Sequence, residues 1–317
     1  MPLLAIDLGG TKLALAVFSQ EGDLLSEEKI DLDKRKGTGV GQLIAEGVAA
    51  NLDRQKNKGE EIEAIGLSVP GIYQRNEGTV WAPNIAGWEN YPLLKEVESV
   101  AGDIPVIIDN DRACSILGEW WKGAAQNCND AIFLAVGTGI GAGILTGGRI
   151  LRGANDIGGA IGWMALERPF QHYYEDCGCF ESSASGEGIA KMARKIISEK
   201  RNYNGSLRTE SPNALTAPDV FKAYEEKDAV AEEVFQHCIE VWGMAVANLI
   251  SLFNPQKIIF GGGVFGPAIK FIPGIKKEAT KWAQPVSMRD VTIEASALGT
   301  QAGLYGAAYI ASKNFKT

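Results

Sequence analysis

The sequence predicts a two-domain α/β protein, and three observations carry that prediction. At 317 residues and 33.9 kDa the chain exceeds what one hydrophobic core usually organises, so about two domains are expected. Three short apolar runs each end in a glycine-rich turn: Asp7-Leu8-Gly9-Gly10-Thr11-Lys12, Gly137–Gly141 and Gly261–Gly263. The order strand, glycine turn, strand, third strand also opens both halves of the chain. This is a duplication of structure without duplication of sequence.

The elements follow in turn. Leu3–Leu8 and Leu13–Ser19 are apolar runs joined by Gly9-Gly10-Thr11-Lys12, and Leu24–Leu32 follows the turn Glu21-Gly22-Asp23; together they read as a β-meander. A helix is expected over Val40–Lys56. Ala64–Val69 is a buried strand stopped by Pro70-Gly71. Val106–Ile108 is another, running into Asp109-Asn110-Asp111 before a helix from Arg112 to Lys122. The pattern then restarts with strands at Ala131–Val136, Gly143–Leu145 and Arg149–Leu151. Helices are expected at Ser185–Lys200, Ala217–Lys227 and Val230–Phe253, and a buried strand at Lys257–Phe260. A strand at Val291–Glu294 and a helix at Gln301–Ala311 complete the chain.

Composition narrows the function. Lys and Arg number 31 against 39 Asp and Glu, a net charge of −8, which disfavours nucleic acid or an anionic membrane as partner. The longest apolar stretch, Ala131–Leu145, is broken by glycines at 137, 139, 141 and 143 and is too short to span a bilayer. The N-terminus lacks the basic region of a signal peptide, and five cysteines without framework spacing suit a reducing compartment, so a cytoplasmic protein is expected. The 38 glycines are an excess, and they mark places where backbone turns sharply or approaches something closely.

Each glycine turn can present backbone N–H groups to phosphate oxygens, or can simply be a tight connection between elements. Lys12 would add a cation, and Asp7 could face a magnesium ion through water. The segment from Gly137 mimics a dinucleotide fingerprint, but it continues as Gly143-Ile144-Leu145-Thr146-Gly147-Gly148, a hairpin where that fold needs a helix. No P-loop spacing exists around Lys12. A nucleotide bound here is held by hairpins. Asp111, at a strand mouth and a helix start, is either a helix N-cap or a carboxylate able to accept a hydroxyl proton in phosphoryl transfer.

These motifs, in this order, resemble the ROK family of repressors and sugar kinases, within the hexokinase–actin-like ATPase (ribonuclease H-like) fold. The matching residues are Asp7-Leu8-Gly9-Gly10-Thr11-Lys12, Ser68-Val69-Pro70-Gly71, Ala82-Pro83-Asn84 with Gly87-Trp88, and Asp109-Asn110-Asp111. They continue with Gly137-Thr138-Gly139-Ile140-Gly141, Cys179-Phe180-Glu181 with Ser185, and Phe260-Gly261-Gly262-Gly263-Val264. The resemblance implies two α/β domains flanking a cleft, residues 1–112 with 299–317 and residues 113–298, whose closure excludes water from the reaction. It implies an ATP- and Mg2+-dependent kinase for a hexose or modified sugar, with Asp111 as general base. Gly71, Asn84, Asn110, Asp111 and Glu181 would contact the sugar. Asp7, Gly9, Gly10, Thr11, Lys12, Gly137, Thr138, Gly139, Gly141, Gly262 and Gly263 would surround the nucleotide. A homodimer is implied as well. Repressors of the family carry an additional N-terminal helix-turn-helix, and this chain opens on its first strand, so the kinase branch is expected.

The chain departs from the family pattern in one region. Family kinases carry Gly-Glu-x-Gly-His, whose Glu and His touch the sugar and whose His ligates zinc; here the segment is Gly159-Ala160-Ile161-Gly162-Trp163. The cysteine motif of the zinc site is broken too, with His172 and Tyr174 where its first two cysteines belong and only Cys177 and Cys179 nearby. Four Cys or His ligands are needed for a structural zinc, so zinc is not expected, and Tyr173, Tyr174 and Phe180 should hold this loop by packing. Trp163 either joins the core or walls the sugar pocket. Two functions remain open: a sugar kinase with altered substrate choice, and a non-catalytic or regulatory homologue that binds a sugar-like ligand.

Overall fold

The computed structural model describes residues 1–200, 202–209 and 211–313. They form two compact units. The first comprises Met1–Asn127, Ile150–Gly158 and the segment from Thr300 onward. Its strands are β1 (Leu3–Leu8), β2 (Lys12–Phe18), β3 (Leu24–Asp31), β4 (Ala64–Val69), the small hairpin β5 (Ile72–Gln74) and β6 (Thr79–Trp81), and β7 (Val106–Asn110). Its helices are α1 (Thr38–Lys56), α2 (Leu93–Ala101), α3 (Asp111–Lys122) and a C-terminal helix, Ala302–Ser312.

The main sheet runs β3-β2-β1-β4-β7. The meander β1–β3 is antiparallel, while β1, β4 and β7 are parallel, so their carboxyl ends share one edge. Strict alternation along β1 sends Leu4, Ile6 and Leu8 into the core under α1 and α2, and Leu3 and Ala5 into a second core against the C-terminal helix. That helix is buried nearly all round, and the face it meets mixes the small residues Ala5, Ala16 and Ala64 with Leu3 and Phe18. It also crosses α3 closely. A Cβ on Gly306 would lie 1.8 Å from the Cys114 carbonyl oxygen, and one on Gly118 would lie 2.2 Å from that of Ala302, so only glycine permits this approach. The expected domain break after residue 112 falls inside this unit, near the start of α3.

The second unit comprises Cys128–Arg149 and Gly159–Gly299. Its sheet contains β8 (Ala131–Val136), β9 (Ile140–Thr146), β11 (Lys257–Gly261) and β12 (Thr292–Ala295), with β10 (Arg149–Ile150), where the chain leaves this unit, at its edge, in the order β10-β9-β8-β11-β12. Helices α4 (Tyr174–Cys177), α5 (Cys179–Ala184), α6 (Gly186–Glu199), α7 (Ala217–Glu225), α8 (Ala229–Phe253), α9 (Ile272–Ala279) and α10 (Pro285–Asp290) belong to the same unit. The central helix α8 buries Val234, Phe235, Cys238, Val241, Trp242, Ala245, Leu249 and more at three- and four-residue spacing. Asp228 caps its start, accepting from the N–H groups of Val230 and Ala231 at 2.9 and 3.2 Å. Such a cap contributes about 1 kcal/mol.

The strands and long helices agree with the sequence reading to within two or three residues. Ile140 and Gly141 are the exception of consequence. They belong to β9, in register with Val136 and Ala135, so the second glycine turn is only Gly137–Gly139.

Candidate active site

In the first unit, sheet register assembles the candidate residues. Asp7 on β1 lies beside Ser68 on β4, which lies beside Asp109 on β7, and the next pair along is Val69 and Asn110. The carboxyl edge of the sheet therefore gathers Asp7, Gly71, Asn110 and Asp111, the usual location of ligand sites in open α/β sheets.

Asp7 is half-buried on the helix-facing side of β1. Gly303 makes room for it, since a Cβ there would stand 2.8 Å from the Asp7 carboxylate. Burial pushes the Asp7 carboxyl up to about 6; the nearby Ser68 hydroxyl offsets part of this, and the charge of Asp111 adds to it. Asp111 opens α3, and burial raises its carboxyl as well, against the opposing pull of Arg112. Asn110 supplies the N-cap of α3, its side chain accepting from the Ala113 N–H at 2.9 Å. The capping role open to Asp111 thus falls to its neighbour, and the Asp111 carboxyl is left for other use.

Gly71 has φ +82, and a Cβ there would strike the Trp81 carbonyl at 2.1 Å. Its own carbonyl accepts from the Arg112 guanidinium at 3.2 Å. Asn84 is exposed beside the first glycine turn, with its amide nitrogen 3.9 Å from where a Gly10 Cβ would be. Trp88 is fully buried, stacked on Tyr91 and bonded to the Gly37 carbonyl at 3.0 Å, so it serves packing.

That first turn is a closed hairpin. The Gly9 N–H is consumed by the Lys12 carbonyl at 2.9 Å, while those of Gly10 and Thr11 have no protein acceptor among the described residues. Lys12 starts β2, is largely exposed and lies 3.9 Å from Asp31.

In the second unit, three candidate segments converge. The Gly137 N–H folds back to the Gly139 carbonyl at 2.9 Å, and the Gly137 carbonyl accepts from the Gly186 N–H at the start of α6 at 2.8 Å. The Thr138 and Gly139 N–H groups have no acceptor among the described residues. A Cβ on Gly137 would face the Gly263 N–H at 3.9 Å, so the turns after β8 and β11 are neighbours, with Gly262 at φ +86 between β11 and Gly263. Glu181 on α5 accepts from the Ile140 N–H at 2.6 Å. Burial raises its carboxyl, and this hydrogen bond opposes the rise most.

The segment Gly159–Trp163 packs on the same glutamate: a Cβ on Gly162 would lie 3.0 Å from the Glu181 side chain. Trp163 itself is 57% exposed, so it is no core residue. His172 is almost fully exposed and lies 3.5 Å from Glu175, whereas Cys179 is buried and the Cys177 thiol meets the Ser182 hydroxyl at 3.2 Å. Among the described residues no group of three His, Cys, Asp or Glu is placed to hold a metal ion. The loop is packed by aromatic rings: Tyr174 is buried against Tyr173 and Phe170 at 4.7 and 5.9 Å, and Phe180 is fully buried.

One feature had no signal in the sequence. Asp109, only 3% exposed, takes a two-pronged ion pair from Arg152 at 2.9 and 2.7 Å, and Arg75 approaches it at 3.0 Å. Asp156 stands 3.7 Å from both arginines. These partners are 34 to 47 residues from Asp109 in sequence, at positions whose residue types suggest only surface charge.

No helix among the described residues is long and apolar enough to cross a membrane. The ROK family model matches residues 3–314. A glucokinase of Halalkalibacterium halodurans is 32% identical over 314 residues, covering 97% of this chain and 94% of the relative. The crystal structure of a ROK family glucokinase from Streptomyces griseus, in complex with glucose and AMPPNP, superposes with a TM-score of 0.79 at 29% identity, over 99% of this chain and 100% of that one. A xylose repressor of Caldicellulosiruptor bescii is 28% identical over 96% of this chain and 76% of its own length. Relatives thus include sugar kinases and transcriptional repressors. The α/β architecture is the actin-like ATPase fold of ROK hexokinases and glucokinases, and the chain belongs to the ROK family.

Proposed function

We propose that this protein is an ATP-dependent sugar kinase, transferring the γ-phosphoryl group to a hydroxyl of a hexose or modified sugar with Asp111 as general base. The observation that carries the reading is the state of Asp111. It sits at the carboxyl edge of the sheet, relieved of capping by Asn110, with burial raising its carboxyl toward the range in which it accepts a proton effectively. Phosphoryl transfer asks little else of a protein beyond positioning and neutralisation of charge.

The remaining candidate residues take further roles in this reading. Gly71, Asn84, Asn110 and Glu181 hold the sugar. The spare N–H groups of Gly10, Thr11, Thr138 and Gly139, with the turn Gly262–Gly263, suit phosphate oxygens. Gly9 and Gly141 act by shaping the hairpins, and Lys12 reaches phosphate only by leaving Asp31. The Asp7 carboxylate, pushed up by burial and by Asp111, gains from a cation nearby, which fits Mg2+ held through water. With nucleotide bound, that ion supplies neutralisation of the phosphate charge. A cytoplasmic homodimer belongs to the same reading.

A second reading, a regulatory homologue that binds a sugar without turnover, draws on one observation: Ala160 and the exposed Trp163 stand where family kinases place Glu and His. ATP-dependent phosphorylation of hexoses, amino sugars and polyols separates the two. Asp111→Asn should lower the rate at least about a hundredfold while leaving ATP affinity nearly unchanged. Near-parental turnover by that variant refutes the base assignment, and no turnover by the parent on any substrate favours the regulator.

A further inference from the structure

The buried ion-pair group at the end of β7 lies outside the roles given above, and its geometry leads directly to the candidate base. Arg152 donates through Nη1 to Asp109 Oδ1 at 2.9 Å and through Nη2 to Oδ2 at 2.7 Å, a fork that fixes the plane of the carboxylate. The same Oδ1 accepts from the Asn110 backbone N–H at 2.8 Å, with the Asn110 amide nitrogen at 3.4 Å. Asn110 in turn caps α3, whose first residue is Asp111. Arg75 lies 3.0 Å from Oδ1 with its Nη2 off hydrogen-bond geometry, so it adds charge and Arg152 sets direction. Arg152 is itself held in a loop closed by the Gly158 N–H on the Arg152 carbonyl at 2.7 Å, with Gly153 and Asp156 at φ 74 and 53.

A buried ion pair is a poor way to gain stability, because desolvation consumes most of the Coulomb attraction and an apolar pair of equal volume does as well. What a forked pair provides and an apolar pair does not is orientation. We propose that Arg152 is a positioning residue for phosphoryl transfer: gripping Asp109, it fixes Asn110 and so aims the Asp111 carboxyl at the acceptor hydroxyl. This rests on the kinase reading with Asp111 as base.

The test compares the parent with R152Q, R152K, D109N and the double variant D109N/R152Q on the best substrate of the sugar panel. Hydrogen exchange at the Asn110 and Ala113 amides is followed in parallel. R152Q and D109N should each lower kcat about ten- to a hundredfold, the scale of a small misplacement of a reacting group, with KM for ATP within twofold of the parent. R152K should recover part of the loss. The double variant should be no slower than the slower single variant, since both act along one path. It also removes the buried carboxylate, left with Arg75 alone, if R152Q folds poorly. Both amides should exchange at least tenfold faster in R152Q. A kcat within threefold of the parent, losses that multiply in the double variant, or unchanged exchange would each overturn the proposal. A parent inactive on every sugar refutes the kinase reading instead. Exchange then decides alone: faster exchange supports the positioning of Asn110 by Arg152, and unchanged exchange overturns it.

Discussion

Asp7→Asn should make the ligand-free protein more stable at neutral pH while abolishing turnover. The Asp7 carboxyl moves from its ordinary 3.8 to about 6 in the folded chain, chiefly through burial. A carboxyl raised by folding binds its proton more tightly in the native than in the unfolded state. Its contribution to stability is therefore fully present below about pH 4 and is lost as pH rises through about 6. The distance from 3.8 to about 6, at about 1.4 kcal/mol per pH unit, corresponds to about 3 kcal/mol. Asp7 keeps partial contact with solvent, whose screening lowers this, so a gain of about 1–3 kcal/mol is expected from the neutral isostere at pH 7.5.

Urea unfolding at half-unit steps from pH 4.5 to 8 measures it. The parent should lose stability relative to Asp7→Asn across pH 4.5–7, and the two curves should run parallel above pH 7.5. Curves parallel throughout, or a variant less stable than the parent at pH 7.5, would refute the account of Asp7 as an ionised carboxylate held at a cost.

Three further outcomes are expected. Gly306→Ala would set a Cβ 1.8 Å from the Cys114 carbonyl, forcing the C-terminal helix off α3 by more than 1 Å; after the gain of about 1 kcal/mol in helix propensity, unfolding should still show a net loss of about 2 kcal/mol or more. Elemental analysis of the purified protein should find no stoichiometric zinc, and about one zinc per chain, lost with His172→Ala or Cys179→Ser, would contradict the aromatic packing account of the loop. By the family resemblance, Ala160 and Trp163 stand in for two hydrogen-bonding side chains and offer space and a flat apolar surface, so on the kinase reading kcat/KM should favour a substituted or amino sugar, another epimer or a cyclic polyol over glucose. Ala160→Glu with Trp163→His should shift preference toward glucose, and efficient parental turnover of glucose above every other sugar would refute this.

What the sequence revealed, it revealed where a local pattern carries the information. The apolar run of β1 and the long apolar pattern of α8 are written in consecutive residues, and both elements appear where expected. Asp7, Asn110 and Asp111 entered the candidate site through their motifs and the resemblance; that they meet at one edge of the sheet is shown by the parallel register of β1, β4 and β7. The short hairpin β5–β6 and the helices α2, α4, α5, α9 and α10 were not legible, since such short elements take their stability mostly from tertiary packing. Hydrogen bonding inside the glycine turns was hidden for a related reason. The pattern Gly-x-Gly shows that backbone turns, but not that the Gly9 and Gly137 N–H groups are spent closing the turn. The Asp109 group was wholly invisible, because Arg75, Arg152 and Asp156 meet it only through the fold.

That hidden group and Asp7 bear on the choice between kinase and regulator. A chain that only recognised a sugar would need hydroxyl-binding groups such as Asn84 and Glu181. Asp7 and Asp111 add two further carboxyls, each raised by burial, with the charge of Asp111 raising Asp7 further. Asparagine at position 7 would bind hydroxyls equally well and relieve that repulsion. On the proposed reading the acidic pair serves a reaction that requires both a cation and a proton acceptor, phosphoryl transfer to an alcohol. On the same reading, the forked Arg152–Asp109 pair serves orientation beside the proposed base. On these grounds the kinase is the better account of this edge of the sheet. On the kinase reading proposed above, the departures at Ala160 and Trp163 would change which sugar is held and not whether it is phosphorylated.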